Sequence, residues 1–442
     1  MAAFNDEGIF SILDTDLYKL TMQYAVRKFY PAVPVTYDFT NRTPHMRLNR
    51  TAFSWLEEKI AGFEELKLTI EEAEWLRKTC PYLDEEYVTY LQGYRFKPAE
   101  HVTVTFDGGE GPEDSGDMHL KITGPWVETI LYETPLLALI SEAYFKFMEK
   151  NWSYEGQRQK AFEKGVRLIE GGCAFSEFGT RRRRSFKTHE LVMQGLCKAQ
   201  LSAKEGSRGK LSGTSNVYLA MKHGVAPVGT VAHEWFMGIA AIEDNYADAN
   251  EIALRSWTQT FGRGVLGIAL TDTFGTETFF RSFTRPADHL RNEDGSVPTY
   301  AEAFAGVRQD SGDPEVFIQR IKNFYEKEGL KGKIVVFSDS LNVDKAIRYK
   351  KCCEAAGDGL LIPSFGIGTY LTNDFTYREG EQSRRSPPLN IVIKLSHANG
   401  RPAVKLSDDL GKNSGDDELI ERIKKEVGYE GRAWNDEGHR WD

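Results

Sequence analysis

Seven short apolar runs alternate with helical segments between about residues 150 and 375, and this alternation constrains the fold more than any other feature. The runs are CAFSEF, KLSGTS, APVGTVA, GVLGIALTD, FAGVRQD, KIVVFSD and LIPSFGIG. Seven repeats of a strand followed by a helix predict a parallel sheet of the α/β class. Every run ends in residues that can do chemistry. A barrel brings all strand ends to one mouth, whereas an open sheet places function at its switch point, so we predict a parallel barrel.

The residues before these repeats mix helices and strands. Thr69 and Glu72 form a capping box that predicts the start of a helix. The runs 102–106 and 118–124 alternate in hydrophobicity and predict two strands, and 130–148 predicts a long apolar helix. We therefore expect an N-terminal α+β domain.

The residues after Arg378 change character again. The polar stretch EGEQSRRSPP predicts a linker, and Asn399-Gly400 between two apolar runs is a strong signal for a β-hairpin. We expect this hairpin to return to the N-terminal domain. The predicted domains are 1–145 (N-terminal α+β), 146–378 (barrel) and 379–442 (a C-terminal segment that packs on the first domain).

Composition excludes several classes of protein. The chain has 442 residues, 40% of them hydrophobic, and a net charge of −9, which argues against a dedicated nucleic-acid binder. No apolar run approaches the ~20 residues of a membrane span, and the start MAAFNDEGIF lacks the features of a signal peptide. The five cysteines form no CxxC pair, which favours reduced thiols. We expect a soluble protein of the cytoplasm, and possible nuclear residence, without nucleic-acid or membrane partners.

The strand ends share a chemistry. They are FGTRRRRS, GTSN, GTVAHEW, TDTFGT, VRQDSGDP, FSDSLN and FGIGT. Glycines and hydroxyl residues let backbone N–H groups approach phosphate oxygens, and arginines hold phosphate or carboxylate groups. Aspartates bind sugar hydroxyls or Mg²⁺. Together these residues predict a site for a phosphorylated sugar.

Each motif alone has a plainer interpretation. A lone histidine such as His233 is more often structural than catalytic, GIG is more often a tight turn than a nucleotide site, and RRRR is as often a solvated face or a localisation tag. Asp339 could simply cap a helix, and Asp272 could do the same. Arg308 and Asp310 lie on one face of an extended chain and could form a structural ion pair.

As an ordered set the motifs are far more specific. FSEFGTRRRRS, LSGTSN, GTVAHEW, ALTDTFGT, VRQDSGDP, FSDSLN, FGIGTYLTND and the N-terminal ILDTDLYKLTMQYA together resemble the nicotinate phosphoribosyltransferase family, most closely its fungal branch, over nearly the whole chain. The resemblance implies an irregular α/β barrel with a second domain from both termini. It implies that nicotinate and phosphoribosyl pyrophosphate give nicotinate mononucleotide and pyrophosphate, coupled to ATP hydrolysis with Mg²⁺, in the salvage of nicotinate into NAD.

The resemblance also assigns catalytic roles. His233 matches the histidine that ATP phosphorylates in this family, and neutral imidazole is a competent nucleophile near neutral pH. Asp310 would orient the pyridine or its neighbour Arg308, and Asp339 would hold the ribose hydroxyls. The resemblance does not specify protein ligands for Mg²⁺, which the substrate phosphates would mainly hold.

Further matched positions would bind the two substrates. For nicotinate, Tyr18 and Phe178 would sandwich the pyridine ring, with Thr230, Arg308 and Ser215 around it. Tyr18 would come from the partner subunit of a homodimer with shared active sites. Around the phosphoribosyl phosphates the resemblance places Arg181, Asp339, Gly366, Gly368 and Thr369.

Two of these assignments carry a physical argument. Strict alternation puts Thr230 and His233 on opposite faces of a strand, so the chain must leave strand geometry between them if both line the site. Related nicotinamide enzymes place an aspartate near the position of Ser215. Because Ser215 is neutral and Arg308 is a cation, we expect a strong preference for nicotinate over nicotinamide.

Three alternatives remain open at this point. One is nicotinamide phosphoribosyltransferase, which has a related fold, and another is a non-catalytic sensor that binds the same metabolites. The third is a nucleic-acid protein that uses RRRR, which the acidic balance disfavours. Pyrophosphate release with nicotinate or nicotinamide, with and without ATP, distinguishes the first two from the expected enzyme.

Overall fold

The computed structural model describes residues 7–357, 359–379, 382–409 and 412–429. Within those ranges, no helix combines the length and the apolar character that a membrane crossing requires. The description below covers these residues.

The strands and helices alternate over most of the described chain. The strands are β1 (Pro34–Asn41), β2 (Leu48–Asn49), β3 (Val102–Gly108), β4 (Ser115–Pro125), β5 (Ala174–Glu177), β6 (Lys210–Thr214), β7 (Ile268–Leu270), β8 (Gly306–Gln309), β9 (Lys333–Phe337), β10 (Leu361–Ile367), β11 (Phe375–Glu379), β12 (Gln382–Ser386), β13 (Ile391–Ala398) and β14 (Arg401–Pro402). The α-helices are α1 (Leu17–Phe29), α2 (Arg50–Ala61), α3 (Ile70–Thr79), α4 (Glu85–Gly93), α5 (Pro98–His101), α6 (Trp126–Thr129), α7 (Glu133–Phe147), α8 (Gln157–Glu170), α9 (Phe186–Leu201), α10 (Val217–His223), α11 (His233–Glu243), α12 (Ala249–Phe261), α13 (Thr276–Phe283), α14 (Tyr300–Ala303), α15 (Pro314–Lys327), α16 (Val343–Ala356), α17 (Thr369–Thr372) and α18 (Asp417–Val427). Short 3₁₀ helices lie at Gly62–Glu65, Ile130–Tyr132 and Thr180–Arg182.

Six of the seven predicted runs form one parallel sheet, in the order β6-β5-β10-β9-β8-β7. The parallel α/β class is therefore confirmed. Several of the helices that follow these strands begin with a side-chain cap; Asp313, for example, accepts hydrogen bonds from the first turn of α15, with Pro314 at its first position.

The seventh run, APVGTVA at 226–232, is not a strand. The segment forms an isolated parallel bridge between Thr214 and Pro227 instead of a continuous ladder, and Pro227 has no N–H to donate. Its Val228 N–H donates to the carbonyl of Thr214 at the end of β6, at 2.8 Å. On its other side, the Thr230 hydroxyl donates to the Ile268 carbonyl of β7, at 3.0 Å. The segment thus contacts both edge strands of the parallel sheet.

The second sheet is antiparallel and joins both ends of the chain. Its order is β14-β13-β1-β4-β2, with β3 also paired to β4. Strand β13 pairs with β1 from Asn41–Ile391 to Val35–Ala398, so the predicted return of the C-terminal hairpin to the N-terminal region is confirmed. Asn399 and Gly400 have φ values of 52° and 74°, as a two-residue hairpin turn with the favoured twist requires.

The polar stretch after Arg378 is not a linker. Strands β11 and β12 pair antiparallel as a hairpin across the predicted domain boundary. The reason is a buried guanidinium that sequence reasoning did not place: Arg184 stacks 4.2 Å from the Phe375 ring and donates to the Ser386 hydroxyl at 2.5 Å. A tertiary contact, rather than local propensity, therefore holds this hairpin.

Helix α1 carries N-terminal residues to the carboxyl ends of the parallel strands. The Leu17 N–H donates to the carbonyl of Ser215, just after β6, at 2.8 Å. The Thr21 hydroxyl donates to the Thr230 carbonyl at 2.7 Å. The predicted long helix at 130–148 is confirmed as a 3₁₀ turn followed by α7, which packs beside the same strand ends.

Candidate active site

A cavity of about 370 Å³ lies at the carboxyl ends of the parallel strands. This volume falls in the range of small-molecule sites. Its walls bring together every residue that the sequence predicted for the site: Tyr18, Phe178, Arg181, Ser215, Thr230, His233, Arg308, Asp310, Asp339, Gly366, Gly368 and Thr369. The convergence follows from the topology, because parallel strands present all their carboxyl ends on one side of a sheet.

His233 is the first residue of helix α11 and faces the cavity. Its Nδ1 lies 3.0 Å from the Thr273 hydroxyl, and its Nε2 lies 3.1 Å from Asp310 Oδ2 and 2.9 Å from Lys405 Nζ. Because α11 begins here, Thr230 and His233 are not alternate residues of one strand, which removes the conflict between their expected positions. Burial, aided by the Lys405 ammonium, lowers the pKa of His233, so the imidazole is neutral and nucleophilic at neutral pH.

Two aspartates compensate the cations around His233. Asp310 lies 3.1 Å from the Arg308 guanidinium and accepts from the Ser338 hydroxyl at 2.6 Å. Burial alone would raise the pKa of Asp310, but Arg308 and His233 hold it well below its usual value. Asp272, which sequence reasoning treated as no more than a possible cap, pairs with Lys405 at 3.2 Å. The ionised carboxylates keep the histidine oriented and the cavity close to charge balance.

Tyr18 lines the cavity of its own chain, and its expected entry into the site of a partner subunit stays a prediction. Helix α1 places it there directly: a Cβ on Gly229 would lie 3.2 Å from the Tyr18 amide nitrogen. Its hydroxyl donates to Glu133 at 3.3 Å. Burial and that neighbouring carboxylate raise the pKa of Tyr18, so the hydroxyl stays a neutral donor.

The position of the Phe178 ring explains why residue 366 is a glycine. A Cβ on Gly366 would lie 2.4 Å from two carbons of the Phe178 ring. A side chain at this position would therefore displace the ring from the cavity wall. Gly366 had been expected beside the phosphates; the structure adds a packing role, because its missing side chain makes room for the aromatic ring.

The predicted nicotinate-binding polar groups already have partners within the chain. Arg308 donates to the Ser338 hydroxyl at 2.9 Å and the Val231 carbonyl at 3.3 Å, in addition to its ion pair. The Ser215 hydroxyl donates to Asp16 at 2.7 Å. Sequence reasoning missed this buried carboxylate on the cavity wall, whose pKa is raised by burial. A ligand carboxylate would thus meet Arg308 as part of an existing ion pair.

The phosphate side of the cavity holds one exposed guanidinium and one paired carboxylate. Arg181 has 47% of its side chain exposed and lies 3.5 Å from Glu133. Asp339 forms an ion pair with Lys412 and accepts from the Ser340 hydroxyl at 3.1 Å. It is not the cap of the following helix; the Asn342 side chain has that role in α16.

The RRRR run is distributed through the structure rather than presented as a basic tag. Arg181 lines the cavity, and Arg182 donates to the Ile391 carbonyl at 3.1 Å. Arg183 and Arg184 have no exposed side-chain surface, and Arg183 pairs with the buried Asp14 at 2.7 Å. Arg182 and Arg183 therefore hold the second sheet and the N-terminal segment against the parallel sheet, and Arg184 holds the hairpin of β11 and β12.

Sequence reasoning also missed two lysines that line the cavity. Lys405 and Lys412 come from the segment after the C-terminal hairpin and lie in the cavity beside His233 and Asp339. Glu133 was also missed, although it lies at the start of a predicted helix. No local pattern distinguishes these residues, because their placement depends on how distant segments pack.

The comparisons with known proteins agree over almost the full length. A family model described as the nicotinate phosphoribosyltransferase (NAPRTase) family matches residues 173–430, and the N-terminal domain model of the same family matches residues 13–141. A Schizosaccharomyces pombe relative is 49% identical over 426 residues, which cover 96% of this chain and 98% of that protein. The nicotinate phosphoribosyltransferase of Saccharomyces cerevisiae is 45% identical over 439 residues, 98% of each chain.

A solved structure from Saccharomyces cerevisiae has the same fold. It superposes with a TM-score of 0.89 at 44% identity, and the alignment covers 97% of this chain and 100% of that one. With the family model spanning more than half of the residues and full-length relatives above 40% identity, the chain belongs to the nicotinate phosphoribosyltransferase family.

Proposed function

We propose that this chain catalyses the transfer of a phosphoribosyl group from phosphoribosyl pyrophosphate to nicotinate, giving nicotinate mononucleotide and pyrophosphate. Family membership supports the substrates. The observation that carries the proposal is the presence of a neutral, cavity-facing His233 in the same cavity as the aromatic side chains Tyr18 and Phe178. The neutral imidazole of His233 is suited to phosphoryl transfer, and the two aromatic rings are suited to a flat heteroaromatic substrate.

In the proposed transfer, the pyridine nitrogen attacks the anomeric carbon while the bond to pyrophosphate breaks. The transition state is oxocarbenium-like, and the leaving oxygens take up negative charge. Tyr18 and Phe178 would align the ring with the anomeric carbon, an orientation effect. Arg181, with nearly half of its side chain exposed to the cavity, would hold phosphate oxygens, and Asp339 would accept from ribose hydroxyls.

Coupling to ATP hydrolysis would proceed through a phosphohistidine. A nitrogen of neutral His233 attacks the γ-phosphorus, ADP leaves, and water later hydrolyses the phosphohistidine to phosphate. The lowered pKa supports this role because it keeps a lone pair available. Lys405, 2.9 Å from His233 Nε2, would balance the added negative charge. Because ATP is hydrolysed in the reaction, a ligase-type classification would follow.

Mg²⁺ fits the cavity as an ion that the substrate phosphates largely carry. The cavity carboxylates Asp310 and Asp339 are each paired with a cation. Among the described residues, no group of three or more His, Cys, Asp or Glu side chains could hold a metal ion. Asp310 and Asp339 would supply the protein's oxygens, and the ion would neutralise charge that develops on the leaving pyrophosphate.

The proposal also covers the closure of the parallel sheet and the pathway that uses the product. The segment 226–232 would close the parallel sheet into an irregular barrel, since it contacts both edge strands. The product would enter NAD biosynthesis by the salvage route, in the cytoplasm and the nucleus. Tyr18 lines the cavity of its own chain, and a homodimer with shared active sites, which the resemblance implies, remains part of the proposal.

The test measures nicotinate mononucleotide and pyrophosphate, with nicotinate or nicotinamide as substrate and with or without ATP. We expect product from nicotinate, a strong preference over nicotinamide, and stimulation by ATP. Radiolabel from γ-labelled ATP should appear as an acid-labile, base-stable phosphoenzyme, and His233→Ala should lose both label and stimulation. His397→Ala, on the exposed face of β13, serves as the matched control. A wild-type protein that binds both substrates without turnover would instead be a sensor.

A further inference from the structure

A chain of buried charges lies along one wall of the cavity and has no part in the proposed bond-making steps. Lys19 of α1 has no exposed side-chain surface, and its ammonium lies 2.6 Å from Glu133 Oε2 and also pairs with Glu234. Burial alone would lower the pKa of Lys19, but the two carboxylates raise it, so the ammonium is charged. Burial would raise the pKa of Glu133, yet Lys19 and Arg181 lower it.

Glu133 contacts both sides of the substrate cavity. Its Oε2 accepts from the Tyr18 hydroxyl at 3.3 Å, and its Oε1 lies 3.5 Å from Arg181 Nη1. Tyr18 faces the proposed pyridine position and Arg181 the proposed phosphates. The two oxygens of one planar carboxylate therefore fix an aromatic ring and a guanidinium relative to each other.

The other carboxylate in this chain of charges, Glu234, is held by donors from a different part of the molecule. Glu234 follows His233 in α11 and accepts from the Tyr37 hydroxyl and from the indole N–H of Trp126, the latter at 2.8 Å. These donors come from β1 and α6 in the second sheet's half of the molecule. Glu234 thus holds the Lys19 ammonium in place, and Lys19 in turn fixes the plane of Glu133.

We infer that Glu133, held by Lys19, is a positioning residue that sets the spacing between Tyr18 and Arg181 and so between the pyridine and phosphoribosyl substrates. The inference rests on the proposed function. Glu133 itself forms no bond to the reacting atoms. Its effect should appear in the binding of both substrates rather than in the phosphorylation of His233.

The test is Glu133→Gln, which keeps the shape of the side chain and removes its charge. KM for nicotinate and KM for phosphoribosyl pyrophosphate should each rise about tenfold, while kcat stays within about threefold. Labelling of His233 at saturating ATP should stay within about twofold of wild type. The reason is that the recorded contacts of His233 are with Thr273, Asp310, Asp272 and Lys405 and do not include Glu133.

Two further variants separate positioning from general stability. Glu128→Gln removes a surface ion pair with Lys97, at 2.6 Å, and should change neither KM nor labelling. Lys19→Met should reproduce the rise in both KM values, and Lys19→Arg should restore part of the loss. If Lys19→Met fails to fold, the split between KM and labelling in Glu133→Gln decides the question alone.

Unchanged KM values in Glu133→Gln would overturn the inference. So would equal losses of kcat, labelling and both substrate affinities, because a merely structural role predicts that pattern. If the wild-type protein forms no nicotinate mononucleotide, the proposed function fails instead. The two failures are therefore distinguishable.

Discussion

Lys405→Met offers a direct measure of how the charges around His233 prepare it for phosphorylation. The lysine ammonium lies 2.9 Å from His233 Nε2 and pairs with Asp272 at 3.2 Å. Removing this cation leaves Asp272 without its lysine partner beside the imidazole, whereas Asp310 keeps its ion pair with Arg308. Both effects favour the protonated ring, so the pKa of His233 should rise and the nucleophilic form should be lost at a higher pH.

The separation of the charges bounds the size of the shift. Two unit charges 2.9 Å apart interact by about 1.4 kcal/mol in bulk water and by about 6 kcal/mol at an effective dielectric constant of 20. The side chains of His233 and Lys405 are only 16% and 9% exposed, so the value lies between these limits. Since 1.36 kcal/mol corresponds to one pKa unit, we expect the pKa of His233 to rise by about one to four units.

The assay is the initial rate of His233 labelling from γ-labelled ATP between pH 5.5 and 9. The acid limb of the Lys405→Met profile should move upward by that amount. Its plateau should also fall about ten- to a hundredfold, because a charge-assisted hydrogen bond to the phosphoryl group is lost. Lys405→Arg keeps the positive charge, so the acid limb of its pH profile should coincide with that of the wild type. Lys412→Met, which removes the ion pair with Asp339, should also leave the acid limb at its wild-type pH. Coincident acid limbs for Lys405→Met and wild type would refute the electrostatic argument.

Three other outcomes are expected. Arg308→Ala should lower kcat/KM for nicotinate about ten- to a hundredfold more than for nicotinamide, because a charged hydrogen bond is lost only by the acid; equal losses would remove Arg308 from carboxylate recognition. Gly366→Ala should raise KM for nicotinate, since its Cβ would lie 2.4 Å from the Phe178 ring, and an unchanged KM would show that the ring position is unimportant. Burial raises the pKa of Glu142 to about 7 from its usual 4.5, so the folded state binds the proton more tightly and stability falls as pH rises between these values. In urea unfolding, Glu142→Gln should reduce this pH-dependent decrease in the free energy of unfolding by up to about 3 kcal/mol. If the free energy of unfolding depends on pH equally in the two proteins, the assignment is wrong.

The parallel sheet was predictable from sequence because strands buried on both faces are continuous apolar runs. The run at 226–232 has the same composition but forms an isolated bridge rather than a ladder, and proline does not distinguish it, because β10 contains Pro363. The hairpin of β11 and β12 was not predictable, because its polar sequence resembles a linker and tertiary contacts to Arg184, Trp152 and Glu149 hold it.

The residues of the site also fall into those that the sequence predicts and those that it does not. Residues such as Phe178 and Asp310 directly follow β5 and β8, and the topology of a parallel sheet brings them together whatever the intervening helices do. Lys405 and Glu133 lie outside the strand repeats, so nothing local marks them. Sequence shows that Tyr18 lies outside the parallel strands, but only packing shows that α1 covers the carboxyl ends of those strands.

The pairing of β1 with β13 has a consequence for biosynthesis on the ribosome. Strand β1 emerges roughly 350 residues before its partner, and until then one of its edges has no strand beside it. The parallel strands are all synthesised by residue 367, whereas Lys405 arrives only afterwards. A nascent or prematurely terminated chain that stops before β13 would hold His233 without its compensating cation and would expose an open sheet edge. Fragments of this kind should be catalytically silent and dependent on chaperones, so catalytic competence is acquired only as the last part of the chain leaves the ribosome.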